Sequence, residues 1–269
     1  MASDLGREIS LKMQTRFSAE ERKAGLRISK LGSTCPCALW YSVNHPELAE
    51  PLQPWTQIKF MYGDILEALV IALAKAAGHS VEGEQDAITV DGILGHRDCV
   101  IDGVLVDVKS ANSRSFEKFK NKTLADDQFS SAYLDQLDGY MVGSLDDSLV
   151  QVKDKAYLLA IDKVLGHMCL YEHSFGPQNV KNIKQRIVEY KEIVKQARHP
   201  ACTCGTVPDG KSGNIRLDTK ASYNSFKYCC QPNLRTFLYS DGPHYLTKVV
   251  RKPDVTEVDM FGKIVYNRY

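Results

Sequence analysis

Gly95-His96-Arg97-Asp98-Cys99-Val100-Ile101-Asp102-Gly103-Val104-Leu105-Val106-Asp107-Val108-Lys109-Ser110 sets two β-rich runs on either side of Asp102-Gly103. That dipeptide suits a two-residue type I′ turn, because both central residues of the turn need positive φ, so the stretch reads as a β-hairpin. With Asp102 and Gly103 as the loop, Ile101 pairs with Val104, Asp98 falls opposite Asp107, and His96 falls opposite Lys109 on the same face. Arg97, Cys99, Ile101, Val104, Val106 and Val108 make up the other face, which is mostly apolar and suits packing on a core.

Two carboxylates directly across a strand pair repel each other unless a positive charge lies between them. Oxygen ligands of this kind suit Mg²⁺ or Mn²⁺, and Lys109, two residues past Asp107, points at the same place. A solvated sheet face with scattered charges is the plainer reading of a lone Asp-x-Lys. The facing Asp98 and the apolar opposite face favour a site.

Asp98, Asp107-Val108-Lys109 and the later Gln136-Leu137-Asp138-Gly139-Tyr140 together resemble the D…(D/E)xK…QxxxY pattern of RecB-like nucleases in the PD-(D/E)XK superfamily. The resemblance spans about residues 28 to 165. It implies an α/β fold with a restriction-endonuclease-like core, a mixed β-sheet flanked by helices, and a Mg²⁺- or Mn²⁺-dependent DNA nuclease. By the same resemblance Asp98, Asp107, the Val108 carbonyl and Glu67 would hold the metal, and Lys109 would position or deprotonate the attacking water. Gln136 and Tyr140 would hold the strand being cut, while His96 and Ser110 lie near the site without an assigned role. Exonuclease action on linear DNA ends, single or double stranded, is preferred because QxxxY is associated in the family with end processing. A structure-specific or restriction-type endonuclease, and a non-cleaving DNA-end-binding subunit, are the alternatives. The family's setting is DNA recombination, repair or phage DNA processing, with a recombination or annealing protein as a partner.

The 269 residues can bury a substantial core, and 43% hydrophobic with 25% charged residues is ordinary globular composition. With 34 Lys plus Arg against 33 Asp plus Glu, the net charge of +1 advertises no nucleic-acid binder, so any DNA contact must come from a local patch. No apolar run is long enough to span a bilayer and no signal-peptide core is evident, so a cytoplasmic protein without membrane contact is expected. Its eight Cys then read as reduced thiols or metal ligands rather than a disulfide framework.

Outward from the hairpin, three segments are expected: an N-terminal helical segment over residues 1–27, the nuclease core over 28–200, and a Cys-containing extension over 201–269 that packs on the core. Pro36 suits the first turn of a helix carrying Leu39 and Trp40, and residues 46–56, with three prolines, read as a loop. Tyr62 to Ala77 reads as a helix closed by Gly78, with a buried stripe of Ile65, Leu66, Leu69, Val70 and Leu73. Glu67 within it either serves the metal or lies at the solvent edge. Lys118, Lys120 and Lys122 form a solvated face or a phosphate contact, and residues 130–143 read as a helix with Gln136 and Tyr140 one turn apart. Two strands follow, Lys155 to Ile161 and Met168 to Tyr171, and then an amphipathic helix from Val180 to Ala197.

Cys202-Thr203-Cys204 and Cys229-Cys230 suggest one metal-binding cluster, with buried packing of small thiols as the alternative. Ser29-x-Leu31-x-x-x-Cys35-Pro36 with Leu39-Trp40 resembles a segment of the iron-sulfur branch of the RecB-like family, in which the Cys before Pro joins three C-terminal Cys around a [4Fe-4S] cluster. Here the spacing departs from the family's and Cys37 is an extra thiol, so a [4Fe-4S] cluster, Zn²⁺ and neither all stay open. Tyr223, Phe226, Tyr228 and Tyr245 read as a DNA-stacking flap or as ordinary packing.

Overall fold

Among the described residues of the computed structural model, the α-helices begin with α1 (Pro36–Asn44) and α2 (Pro54–Ala76). The strands that follow are β1 (Val81–Glu82), β2 (Ala87–Val90), β3 (Ile93–His96), β4 (Cys99–Ile101) and β5 (Val104–Ala111). Residues 25–32, 35–52, 54–127 and 129–265 are described, so the helical segment expected over residues 1–27 lies, up to residue 24, outside the described residues.

The Asp102-Gly103 hairpin forms with the register that the sequence dictates, Ile101 opposite Val104 and Cys99 opposite Val106. Asp102 and Gly103 take φ of +49° and +79°, the pair of positive values that a type I′ turn requires. His96 does not lie opposite Lys109, because it ends β3 and pairs with Ala87 of β2. The strand breaks at Arg97, whose side chain is 3% exposed and ion-paired to Asp86 and Asp147 instead of lying on the apolar face of the hairpin. A second type I′ turn at Asp91-Gly92, with φ of +47° and +80°, joins β2 to β3.

After β5 come α3 (Ser113–Lys120), α4 (Ser131–Gly143), β6 (Lys155–Asp162), β7 (Met168–Ser174) and α5 (Pro177–Lys195). The main sheet runs β1-β4-β5-β6-β7, antiparallel except for the parallel β5–β6 pair, whose crossover is made by α3 and α4. Leu66, Val70 and Ile71 of α2 pack on Cys99, Val106, Val108 and Ile161, while α3 packs against β6 and β7. This is the mixed α/β core, a mixed sheet flanked by helices, that the sequence implies.

Helix α2 starts eight residues before the expected Tyr62, at Pro54, since a proline fits the first helical turn as readily as a loop. Its buried stripe is also narrower than expected: Ile65, Leu69 and Leu73 are exposed, because only the Leu66–Val70–Ile71 side meets the sheet.

The described residues fall into two compact units, the first of residues 26–32 and 52–189, the second of residues 25, 35–51 and 190–265. In the second unit an antiparallel sheet has the order β12-β10-β11-β9-β8. Its strands are β8 (Thr206–Pro208), β9 (Ile215–Leu217), β10 (Arg235–Tyr239), β11 (Gly242–Lys248) and β12 (Glu257–Val258). Arg235 clasps Glu257 across β10 and β12 through two hydrogen bonds of 2.8 and 2.7 Å. Among the described residues no helix is long and apolar enough to cross a membrane.

Candidate functional site

Asp98 immediately precedes β4 and Asp107 lies in β5, so the hairpin register brings both carboxyls to one end of the strand pair. An Asp98 oxygen accepts from the Val108 N–H at 2.7 Å. Burial, and then the charge of Asp107, push the Asp98 carboxyl up to about 8. Asp107 is 1% exposed, and neither of its oxygens accepts a directed hydrogen bond among the described residues. Among the described residues its cationic neighbour is Lys109, with Nζ 2.5 Å from Oδ2. Burial alone would lower the Lys109 ammonium, but Asp107 and Asp98 outweigh it and hold the ammonium above its ordinary range.

Glu67, on α2, is the third carboxyl. Burial raises it first, opposed by a hydrogen bond from Gln85 and reinforced by the charge of Asp107. Gln85 Nε2 donates to Glu67 Oε1 at 2.5 Å. Ser110 faces the other side of β5 from Lys109, where a Cβ built on Gly63 of α2 would lie 3.7 Å from its Oγ. His96 is exposed on β3.

On α4, Gln136 Nε2 donates to the Tyr140 hydroxyl at 2.9 Å. Tyr140 is buried, and that burial pushes its phenol up to about 12, so it stays protonated at neutral pH. One turn before Gln136, the ring of Tyr133 lies 5.3 Å from Lys109 Nζ and stacks on Phe119 of α3. Tyr133 and Gln85 are site residues that the sequence reading missed. Tyr133 had a signal, its i, i+3, i+7 spacing with Gln136 and Tyr140; Gln85 had none. Of the lysines on α3, Lys118 is held by Asp127 at 2.6 Å, while Lys120 is exposed with Glu117 3.8 Å away.

A separate group lies in the second unit. The sulfurs of Cys35, Cys202, Cys204 and Cys230 all lie within 4.8 Å of one another. Cys229 is not among them and its thiol turns to the Leu48 carbonyl, while the buried Cys37 faces His199 at 3.6 Å. Hydrogen bonds from the Cys204 and Cys230 thiols hold Cys35 well below the ordinary thiol range. Further donors aim at these sulfurs: Asn224 Nδ2 at Cys204 and Cys230, at 3.6 and 3.5 Å, and Gln231 Nε2 at Cys202, at 3.4 Å. N–H donors around a thiol set favour thiolates, the form that binds metal. Of the candidate flap aromatics, Phe226 packs beside this group, and Tyr228 meets Tyr245 edge to face while sharing a hydrogen bond with Thr236.

No protein-family model and no curated protein matches the sequence. Solved structures similar to the chain include the phage-related exonuclease of Haemophilus somnus 129PT, 16% identical with a TM-score of 0.39 over 49% of this chain and 69% of that one. The alkaline exonuclease LHK-Exo of Laribacter hongkongensis is 14% identical, with a TM-score of 0.38 over 62% of this chain and 91% of that one. The protein SSO0001 is 16% identical, with a TM-score of 0.45 over 83% of this chain and 95% of that one.

Proposed function

We propose that this chain is a divalent-metal-dependent DNA exonuclease that hydrolyses phosphodiester bonds from DNA ends. The observation that carries the proposal is Asp107, a buried carboxylate with no directed hydrogen bond to either oxygen, set beside Asp98 and Glu67 with one ammonium to balance them. Three carboxyls gathered around the single Lys109 ammonium leave negative charge uncompensated in a desolvated place, and a hard cation, which takes oxygen ligands, would offset it. Asp98, Asp107 and Glu67, with the Val108 carbonyl, would hold Mg²⁺ or Mn²⁺. An ion held there lowers the pKa of a water and neutralises charge at the scissile phosphate.

The remaining chemistry belongs to the chain. Asp98 must release its proton to act as a ligand, which ties binding to pH. Lys109, kept as an ammonium by the two aspartates, stabilises negative charge developing on the phosphate rather than removing a proton from water. Tyr133 restrains that ammonium from the α4 side. Tyr140, accepting from Gln136, keeps its own O–H free to donate to a phosphate oxygen of the bound strand. The preference for DNA ends over internal sites rests on the resemblance of this Gln136–Tyr140 pair to QxxxY, and a place in recombination or repair rests on the same resemblance.

A time course on linear DNA labelled separately at its 5′ and 3′ ends, beside a closed circle, with Mg²⁺ or EDTA, tests the proposal for wild type and Lys109→Ala. Mg²⁺-dependent loss of the linear substrate, sparing the circle and absent in the variant, is the expected result. Cutting of the circle would make it an endonuclease, and DNA binding without cleavage would make it an end-binding subunit.

The four-Cys group is proposed as a structural metal centre. At a Zn–S distance of about 2.3 Å, a tetrahedral thiolate site has sulfurs about 3.8 Å apart. A [4Fe-4S] cluster spreads its four thiolates further, since each sits on its own iron. Sulfurs gathered within 4.8 Å of one another fit the spacing of a single Zn²⁺ site, while the resemblance implies the larger cluster. Metal analysis and a visible spectrum of protein purified without oxygen decide it: one zinc and no colour, against four irons and a brown protein.

A further inference from the structure

We infer that Gln85 is a positioning residue for the Glu67 carboxylate, presented by a loop that buried Arg97 holds in one shape. The inference rests on the proposal that Glu67 serves a divalent-cation site.

Gln85 lies between β1 and β2 with φ of +56°, a left-handed conformation that side chains bearing a Cβ rarely adopt. Glycine or asparagine would fit that backbone better, so the glutamine needs another explanation. Its side chain supplies one. Nε2 donates to Glu67 Oε1 at 2.5 Å, and its backbone N–H donates to the Asp98 carbonyl at 3.1 Å. One residue thus ties the helix-borne acid to the chain segment that carries a second acid.

The loop around it is tightly built. Arg97 Nε donates to the Gly83 carbonyl at 3.1 Å, while its two Nη atoms pair with Asp86 and Asp147 at 2.7 and 2.5 Å. The Arg97 N–H donates to the Asp86 carbonyl at 3.1 Å, and the Asp86 N–H donates to the Gly83 carbonyl at 3.3 Å. Gly83 has φ of +60°, and a Cβ there would come within 2.4 Å of the Arg97 guanidinium, so the arginine occupies the space that only a glycine leaves. None of these loop bonds involves the Gln85 amide. That amide serves Glu67: it fixes Oε1 and leaves Oε2 as the oxygen available to an ion.

Partners that orient a metal-binding side chain from outside the ligand set typically change metal affinity by about 10-fold or more when removed. Mn²⁺ binding to the full chain, without DNA, is measured by calorimetry for wild type, Gln85→Met, Gln85→Gly and Glu67→Gln, with a thermal melt of each. Gln85→Met, which keeps the stem and the backbone strain but loses the amide, is expected to bind Mn²⁺ about 10-fold more weakly at an unchanged melting temperature. Gln85→Gly is expected to melt higher, through relief of the left-handed residue, and still bind more weakly. Adding Gln85→Met to Glu67→Gln should cost nothing further, because the amide then has no carboxylate to orient. A Gln85→Gly protein that melts higher and binds Mn²⁺ like wild type overturns the inference and leaves the nuclease proposal standing. Unchanged binding in Glu67→Gln, or no Mn²⁺ binding by wild type, overturns the inference together with the metal-site assignment beneath it.

Discussion

Asp98→Asn isolates the electrostatic core of the proposed site. In the folded chain, burial and then the Asp107 charge move the Asp98 carboxyl from 3.8 to about 8. A folded-state pKa above the unfolded one means that the native state binds the proton more tightly. The resulting stabilisation is complete below about pH 4 and is lost as pH rises through about 8. At about 1.4 kcal/mol for each tenfold change in proton affinity, ionising Asp98 in the native state costs on the order of 5 kcal/mol. Asparagine keeps the shape and an oxygen that can accept from the Val108 N–H at 2.7 Å, but it cannot ionise.

Scanning calorimetry from pH 5 to 9 reads the difference, on protein dialysed free of Mg²⁺ without a strong chelator so that the thiol site keeps its metal. Wild type is expected to lose stability across this range, and Asp98→Asn is expected to lose much less and to melt about 10 °C higher at the alkaline end. Adding Mg²⁺ at high pH should restore wild type, by supplying the positive charge that the carboxylates lack, and leave the variant unmoved. Parallel pH curves for the two proteins would refute the reasoning, since the cost would then not reside at Asp98.

Cys204→Ala should remove one metal equivalent and lower the melting of the second unit, whereas Cys229→Ala, outside the four-sulfur group, should leave metal content unchanged by elemental analysis. Arg97→Met should destabilise the chain by about 3 kcal/mol in urea titration, the low end for breaking a buried ion pair, because Asp86 keeps 50% of its side chain in water and can be rehydrated.

The Asp-Gly turn rule read the Asp102-Gly103 hairpin and its register correctly, and Asp98 and Asp107 sit one step beyond the last paired residues, Cys99 and Val106. The same rule applies to Asp91-Gly92, between Ala87-Ile88-Thr89-Val90 and Ile93-Leu94-Gly95-His96, and there its signal went unused. Reading Gly95 and His96 as a continuation of β4 placed His96 opposite Lys109. What separates β3 from β4 is the buried Arg97 with partners at Asp86 and Asp147, 11 and 50 residues away, and no local pattern announces such a break. The strands of the second unit were legible in part: Arg235-Thr236-Phe237-Leu238-Tyr239 and Gly242-Pro243-His244-Tyr245-Leu246 are β-prone runs around a two-residue connection.

The cysteines show how local geometry narrows a choice that composition leaves open. Adjacent residues on a helical turn point about 100° apart and do not share a face, so Cys229 and Cys230, both within the turn Lys227–Cys230, cannot readily serve one ion. Cys230 joins the group and Cys229 turns to the Leu48 carbonyl. Cys202 and Cys204 lie in irregular chain just before β8, where no helical rotation fixes their directions apart, and both join. Cys35 precedes helix α1 while Cys37 lies within its first turn, and only Cys35 joins. These steps need each Cys to be assigned first to a helical turn or to irregular chain, and no periodic pattern around residues 201–205 or 227–230 makes that assignment. The donors Asn224 and Gln231, and Gln85 in the first unit, lie a further step away. Each acts on a partner brought close by tertiary folding, at separations of up to 29 residues, so periodicity, spacing and turn chemistry carry no trace of them.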